Sequence, residues 1–424
     1  LTGNLKTEEL EGVEKATIQI IPMAIGTNAI PAFKSGIDGR YQFGSIAIND
    51  SYTIKAIRDD EPMNGVSTLD LVNIQKHILG IERLKSPYKM IAADVNNDND
   101  ISAIDLLELR KLILGIYDKL PDNTSWKFVP KSYVFNDINN PWSYPTEESL
   151  THMENNMVKD FVGIKIGDVN ASAIPHSLMG TEIRSSEKGL IFEVEDRTFK
   201  AGEQVSVEFR SPNFAGISGF QGTINFTDDN LRFDHLGAVP SIEKSSSLNS
   251  KLNITDKNIG KRWANEGQIT MSWNSDKSLD VDSRSVLFTM TFTATRPGRL
   301  SEVLRIGSQH TIAESYEGKG ELGTLSIRFV KNGKEIAGTN TLYQNYPNPF
   351  DQRTVIGINL AQATSGQLKI TDVTGRAITS IDRDWNKGYN EVWLDRREIG
   401  ATGVLYYSFE SSGFNAVKKM VIID

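Results

Sequence analysis

The stretch DVNNDNDISAID, residues 94–105, carries oxygen-bearing side chains on alternate positions: Asp94, Asn96, Asp98, Asp100 and Ser102, closed by Asp105. Counted from Asp94 these are positions 1, 3, 5, 7, 9 and 12. A twelve-residue calcium loop takes its ligands from those positions, using the backbone carbonyl at position 7 and often a water at position 9. Oxygen donors without imidazole or thiolate select Ca2+ over zinc or copper. Position 12 is Asp105 rather than Glu, and position 6 is Asn99 rather than Gly. Asn is the next most tolerant residue of the positive φ required there. Ile101 is expected to anchor the loop to a core, and Asp105 to open a helix, where a carboxylate suits the dipole. The competing reading, a solvated acidic turn with an Asp cap, leaves the match at every ligand position unexplained.

The helix after this loop has a partner. LDLVNIQKHILG (69–80) and IDLLELRKLILG (104–115) share apolar residues at helical spacing and end in a Gly suited to a C-cap. Asp70 aligns with Asp105, so the segment is a two-fold repeat of loop and helix, and the two helices are expected to pack on each other. With Asp70 at position 12, the first loop offers Asp59, Glu61, Gly65 and Ser67, but Met63 removes the ligand at position 5. The first loop is therefore degenerate. GDVN at 167–170 supplies Asp168 and Asn170, positions 1 and 3 of another loop without its remainder. It either folds back to complete a site or forms a plain turn after the strand FVGIKI, and the turn is the simpler reading.

Two loop–helix repeats ending in ILG, one of them beginning DVNNDNDISAIDLLELRKLILG, resemble a dockerin module over residues 59–115. The resemblance implies calcium as the cofactor and a cohesin β-sandwich as the partner. It also implies that loop positions 10 and 11 face that partner, here Thr68 and Leu69, and Ala103 and Ile104.

The elements around this module are mostly β, and the expected fold class is multidomain, with three β-sandwich modules and one small helical calcium-binding module. Residues 1–58 alternate strand and turn signals, and GVEKATIQI with DGRYQFGSIAINDSYTIKAI resembles small prealbumin-like or Cna-B-like sandwiches. The dockerin-like module is expected over 59–122. Residues 123–180 are expected as an extended packing linker containing Trp126, Phe128, Trp142 and Tyr144. From 181 to 331 at least six period-2 strands predict a sandwich. Its segments KAGEQVSVEFRSPNFAGISGFQGTINF and EGQITMSWNSD resemble cohesin. If both resemblances hold, plug and socket share one chain, and tethering favours pairing within the chain over pairing between chains.

After a polar linker at 332–341, residues 342–424 read as an antiparallel sandwich entered through YPNP, whose prolines fix an extended start. This block resembles the type A C-terminal sorting domain of the type IX secretion system of Bacteroidota. Tyr346, Pro347, Asn348, Pro349, Phe350, Gly375, Gly388, Gly403, Lys418 and Lys419 carry the signature. The implied partners are the outer-membrane translocon and its shuttle barrel, and the implied location is secreted or cell surface, reached through the periplasm.

Composition excludes several classes. The net charge of −8 and the lack of a basic stretch argue against nucleic acid. Without cysteine there are no disulfides or thiolate metal sites. No apolar run reaches the ~18 residues of a membrane-spanning helix. The chain begins at Leu1 directly in strand-like sequence, which reads as a processed product or the C-terminal part of something longer. His77, His152, His176, His235 and His310 are scattered, and His77 stands where the second repeat has Leu112. GKGELG (318–323) has dinucleotide-loop spacing but is followed by a strand pattern. Nothing requires an enzyme. The expected role is a non-catalytic, calcium-stabilised scaffold or adhesion region of an exported protein. The alternative is the accessory C-terminal half of a secreted polysaccharide hydrolase or protease whose catalytic domain lies upstream.

Overall fold

Alternating residues such as those of Thr17–Pro22 and Tyr52–Ile57 bury every second side chain, as a half-buried strand must. The computed structural model describes the chain apart from residues 25–28, 45, 155, 177–181, 186–188, 227–228, 238–251, 319, 337, 339 and 424. The expected boundary at 180/181 and part of the expected 332–341 linker lie outside the described residues. The chain is mostly β, 44% strand and 11% helix, and divides into two units. One comprises residues 1–113 and 117–179, the other residues 114–116 and 180–424.

The first unit holds two four-stranded sheets. One runs in the order Arg40–Gln42, Thr2–Lys6, Phe161–Lys165, Trp126–Pro130. The other runs Phe33–Lys34, Thr17–Pro22, Tyr52–Ile57, Glu147–Leu150. Ile18, Ile20, Tyr41, Ile54, Phe128 and Phe161 share their core. Residues 123–180 are thus no linker, which corrects the expected boundaries. Phe161–Lys165 lies parallel to Thr2–Lys6 and antiparallel to Trp126–Pro130, and Glu147–Leu150 extends the other sheet. The physical reason is the apolar content of this segment: Trp126, Phe128 and Phe161 supply core that the first 58 residues lack.

Among the described residues three helices are inserted within this β module: α1 (Thr68–Ile78), α2 (Pro87–Ala93) and α3 (Ala103–Ile113). Ser67 and Asp70 form a capping box on α1. Helix α2 has no counterpart in the sequence reading; Ser86 caps it and Pro87 opens it, a start signal that was present in the sequence. The strand Phe161–Lys165 is buried along its whole length because it is covered on both faces. Phe161 faces the sandwich core, while Ile164 joins Leu71, Ile74, Leu109 and Leu112 of the helices.

In the second unit, residues 189–331 form a sandwich with Phe192, Phe209, Phe220, Phe288 and Phe292 in its core. Gly189–Glu195 pairs in parallel with Leu322–Lys331, which is the strand that follows the GKGELG spacing. A second sandwich covers Thr341–Ile422, and Glu182–Ser185 pairs with its strand Gly388–Asp395. Phe350 lies in the core of this sandwich. Val421 N donates to Asn348 Oδ1 at 2.8 Å. Gly375, Gly388 and Gly403 have φ of +85°, +89° and +88°, a region that favours glycine. Lys418 and Lys419 are exposed on the last strand, Phe414–Ile422. The Tyr346 hydroxyl lies 3.0 Å from His310 Nδ1, and the His310 ring stacks on Trp263 at 3.6 Å. Burial, with Arg262 nearby, lowers the His310 pKa to about 4.

Candidate metal centre

The loop at 94–105 leads from α2 into α3. Asp94 and Asp105 are buried at its root, while Asp98 and Asp100 are exposed at its tip. Asn97 and Asn99 take positive φ of 61° and 66°, which bends the chain around its own carboxylates. Asp105 Oδ1 accepts from the Val95 and Asn96 amides at 2.8 and 3.2 Å, and Oδ2 accepts from Ser102 N at 2.8 Å. Asp94 Oδ1 accepts from Asp98 N at 3.0 Å, and Oδ2 from Asn99 N at 3.1 Å. Asn96 Oδ1 accepts from Asp98 N at 3.2 Å.

The same pattern recurs at the start of α1, built from two separate segments. Asp70 Oδ1 accepts from the Val169 and Asn170 amides at 2.9 and 3.3 Å, and Oδ2 from Ser67 N at 2.9 Å. Asp168 Oδ1 accepts from Ser172 N at 3.1 Å, and Oδ2 from Ala173 N at 2.8 Å. Asn170 Oδ1 accepts from Ser172 N at 3.0 Å. Each of the six bonds named for the contiguous loop thus has its counterpart, with Asp168 standing for Asp94, Asn170 for Asn96, Ser172 for Asp98 and Asp70 for Asp105. Ser172 Oγ donates to the Gly65 carbonyl at 2.9 Å, which joins positions 5 and 7 across the gap. Gly65 and Ala171 both adopt positive φ, 74° and 62°.

The residues expected as positions 1 and 3 of the first loop do other work. Asp59 Oδ1 accepts from Ser125 N at 2.8 Å. Glu61 accepts from Arg58 Nη2 at 3.0 Å and from Asn64 Nδ2 at 3.1 Å. The buried Arg58 guanidinium, which also bonds Asp60 at 2.6 Å, holds this acidic run as ion pairs. GDVN does turn the chain after the strand, and the turn places the Val169 and Asn170 amides on Asp70 Oδ1.

Buried carboxylates are costly unless a cation or donors offset their charge. Burial raises the carboxyl pKa of Asp94 and of Asp105. Burial also holds that of Asp70 well above the ordinary carboxyl range, with the Asp168 charge adding to it, and raises that of Asp168. Lys165, buried among them, is lowered to about 8 by burial, and its Nζ donates to Pro62 O at 2.8 Å and Ile166 O at 3.1 Å. Among the described residues no three Asp, Glu or His side chains converge on one point. The oxygen-only donor set with its buried carboxylates fits a hard cation such as Ca2+.

The four residues at positions 10 and 11 divide. Thr68 is buried and Leu69 half-buried, whereas Ala103 and Ile104 are exposed at the start of α3. Among the described residues no helix is long and apolar enough to cross a membrane.

Residues 64–114 match the sequence model of the dockerin type I domain. Dockerin type I domains typically bind calcium and are non-catalytic assembly modules of secreted or cell-surface proteins. No curated protein sequence matches the chain. Among solved structures, the chain is similar to a type II cohesin dyad from a scaffoldin of Acetivibrio cellulolyticus, at 11% identity and a TM-score of 0.24, over 53% of this chain and 89% of that one. It is similar to a type I cohesin–dockerin complex of Clostridium thermocellum at 10% identity and a TM-score of 0.24, over 34% and 99%. A type I cohesin of Pseudobacteroides cellulosolvens matches at 12% identity and a TM-score of 0.22, over 37% and 97%.

Proposed function

We propose that this chain is a non-catalytic, calcium-stabilised attachment region of an exported protein, in which calcium at 94–105 fixes α3 for docking. The observation that carries the reading is the contiguous loop within the dockerin match. Its ligand positions are in register, and Ala103 and Ile104 stand exposed where its helix begins. Asp94, Asn96, Asp98 and Asp105 hold the ion through side chains, Asp100 through its carbonyl, and Ser102 directly or through water. When bound, the ion supplies the positive charge that the buried Asp94 and Asp105 otherwise lack.

The partner is a cohesin-like β-sandwich, and residues 189–331 are a candidate for it by the resemblance of their strand sequences. Export uses the terminal sandwich: Phe350 anchors the YPNPF entry in its core, and the exposed Pro347, Pro349, Lys418 and Lys419 with the turns at Gly375, Gly388 and Gly403 are what the translocon and shuttle barrel recognise. Separate fragments carrying residues 1–179 and 180–424 test the pairing by calorimetry. The reading expects association in calcium and separation in chelator, and no association at high micromolar concentration would refute it. For export, a fluorescent protein fused to residues 332–424 should reach the surface of a type IX-competent bacterium. Retention of that fusion in the periplasm would refute the sorting role.

A further inference from the structure

The first loop lacks position 5 in its own sequence, yet the hydrogen-bond pattern around Asp70 is complete. It is completed by residues 99 and 100 positions away, outside the dockerin match at 64–114. We propose that Asp168, Asn170 and Ser172 join Gly65, Ser67 and Asp70 as one split loop for a second calcium ion, a clasp between the first β module and α1. This rests on the calcium reading of the dockerin match and extends it to residues outside the match.

Three observations carry it. First, the donors fall in the order of a calcium loop: Asp168, Asn170 and Ser172 at positions 1, 3 and 5, the Gly65 carbonyl at 7, Ser67 at 9, Asp70 at 12. Second, both carboxylates are buried, Asp70 at 0% and Asp168 at 7% exposure, and the nearest buried ammonium, Lys165, is spent on two backbone carbonyls. Third, the contiguous loop of the same chain shows the same amide bonds to its first and last carboxylates, Asp94 and Asp105.

The placement gives the ion a mechanical role. Residues 168–172 follow directly on Phe161–Lys165, the strand bonded to both Thr2–Lys6 and Trp126–Pro130. An ion shared by Asp168 and Asp70 closes a loop of about a hundred residues, which restricts the unfolded chain as a long-loop cross-link does. It does so in a chain that has no cysteine. Polar contacts already align the edges: Ile174 N donates to Asn64 Oδ1 at 2.9 Å, and Asn64 Nδ2 donates to Ile174 O at 2.7 Å.

The split site is also the weaker one. It offers two carboxylates, Asp70 and Asp168, against Asp94, Asp98 and Asp105 in the contiguous loop, and the Lys165 charge lies close by. Calcium affinity follows ligand charge. The clasp therefore closes at calcium levels above those that fill the contiguous loop.

Calcium titration of the full chain, by calorimetry and native mass spectrometry, tests this. The wild type should take up two ions in two phases. Asp168→Asn, which keeps the side-chain size and one acceptor oxygen, should lose the weak phase alone, and Asp94→Asn the tight phase alone. Ser172→Ala, which buries no new charge, should weaken the second phase about tenfold or more. In calcium, the Val169, Asn170 and Ala173 amides should exchange with solvent about tenfold faster in Asp168→Asn, with those of 94–105 unchanged. A single ion, lost with Asp94→Asn and kept with Asp168→Asn, overturns the split site and leaves the dockerin reading standing. No ion in the wild type overturns both.

Discussion

The two loops that start α1 and α3 reach the same hydrogen-bond pattern by different routes. The loop at 94–105 is local: twelve consecutive residues, a hydrated tip, and a helix start that presents Ala103 and Ile104 to solvent. The loop at Asp70 is assembled: half of it arrives after a buried strand, and its helix start buries Thr68. A contiguous loop can order itself with its ion before anything else folds. An assembled loop can form only after the first β module has delivered Phe161–Lys165, so its ion reports on tertiary structure. On the proposed reading, the same chemistry would serve docking in one place and closure in the other.

The largest effect should come from removing a position 12 carboxylate. Asp70→Ala strands the amides of Ser67, Val169 and Asn170, at a cost of about 3 kcal/mol or more in chemical denaturation. Asp105→Ala strands those of Val95, Asn96 and Ser102, but its loop stays joined by the chain, so the loss should be smaller. Equal losses would break the distinction between local and assembled loops. Next in size is calcium itself: at 100 times its dissociation constant an ion adds about 2.7 kcal/mol to unfolding of the first unit. Thermal melts across a calcium series should show that gain in two steps.

A smaller effect separates the two helix starts. Ile104→Asp should weaken partner binding about tenfold, about 1.4 kcal/mol, with no change in melting temperature. Thr68→Asp should lower the melting temperature, because it buries a charge. A separate effect lies in the second unit and is independent of calcium. His310 has a folded pKa lowered to about 4 from the ordinary 6.5, so the unfolded chain binds the proton more readily. Stability of that unit should fall as pH drops from about 6.5 to about 4 and level off below. A melt of residues 180–424 that stays flat over this range would contradict it.

What could be read from the sequence follows the same division. DVNNDNDISAID declares itself because its ligands are neighbours and its helix follows at once. The terminal sandwich and the strands of 189–331 are legible through alternation. The proposed split loop is legible only in part: Asp168 and Asn170 read as positions 1 and 3, but their pairing with residues 64–70 is a property of the sheet that brings them together. Two traces of it were present: Met63 at a ligand position, and the repetition of Asp94-Val95-Asn96 as Asp168-Val169-Asn170. The reading of 123–180 as a linker failed for a related reason, since Trp126, Phe128 and Phe161 find their core among strands more than a hundred residues earlier. Helix α2 was missed because it is short, although Ser86 and Pro87 signal its start.

Anomalous diffraction from crystals grown in calcium, with a lanthanide-exchanged control, tests the central claim most directly. Two peaks are predicted, one between Asp94, Asp98 and Asp105, the other between Asp70, Asp168 and the Gly65 carbonyl, each about 2.3–2.6 Å from its oxygens. A single peak at 94–105, with Asp168 turned away from Asp70, would contradict the account.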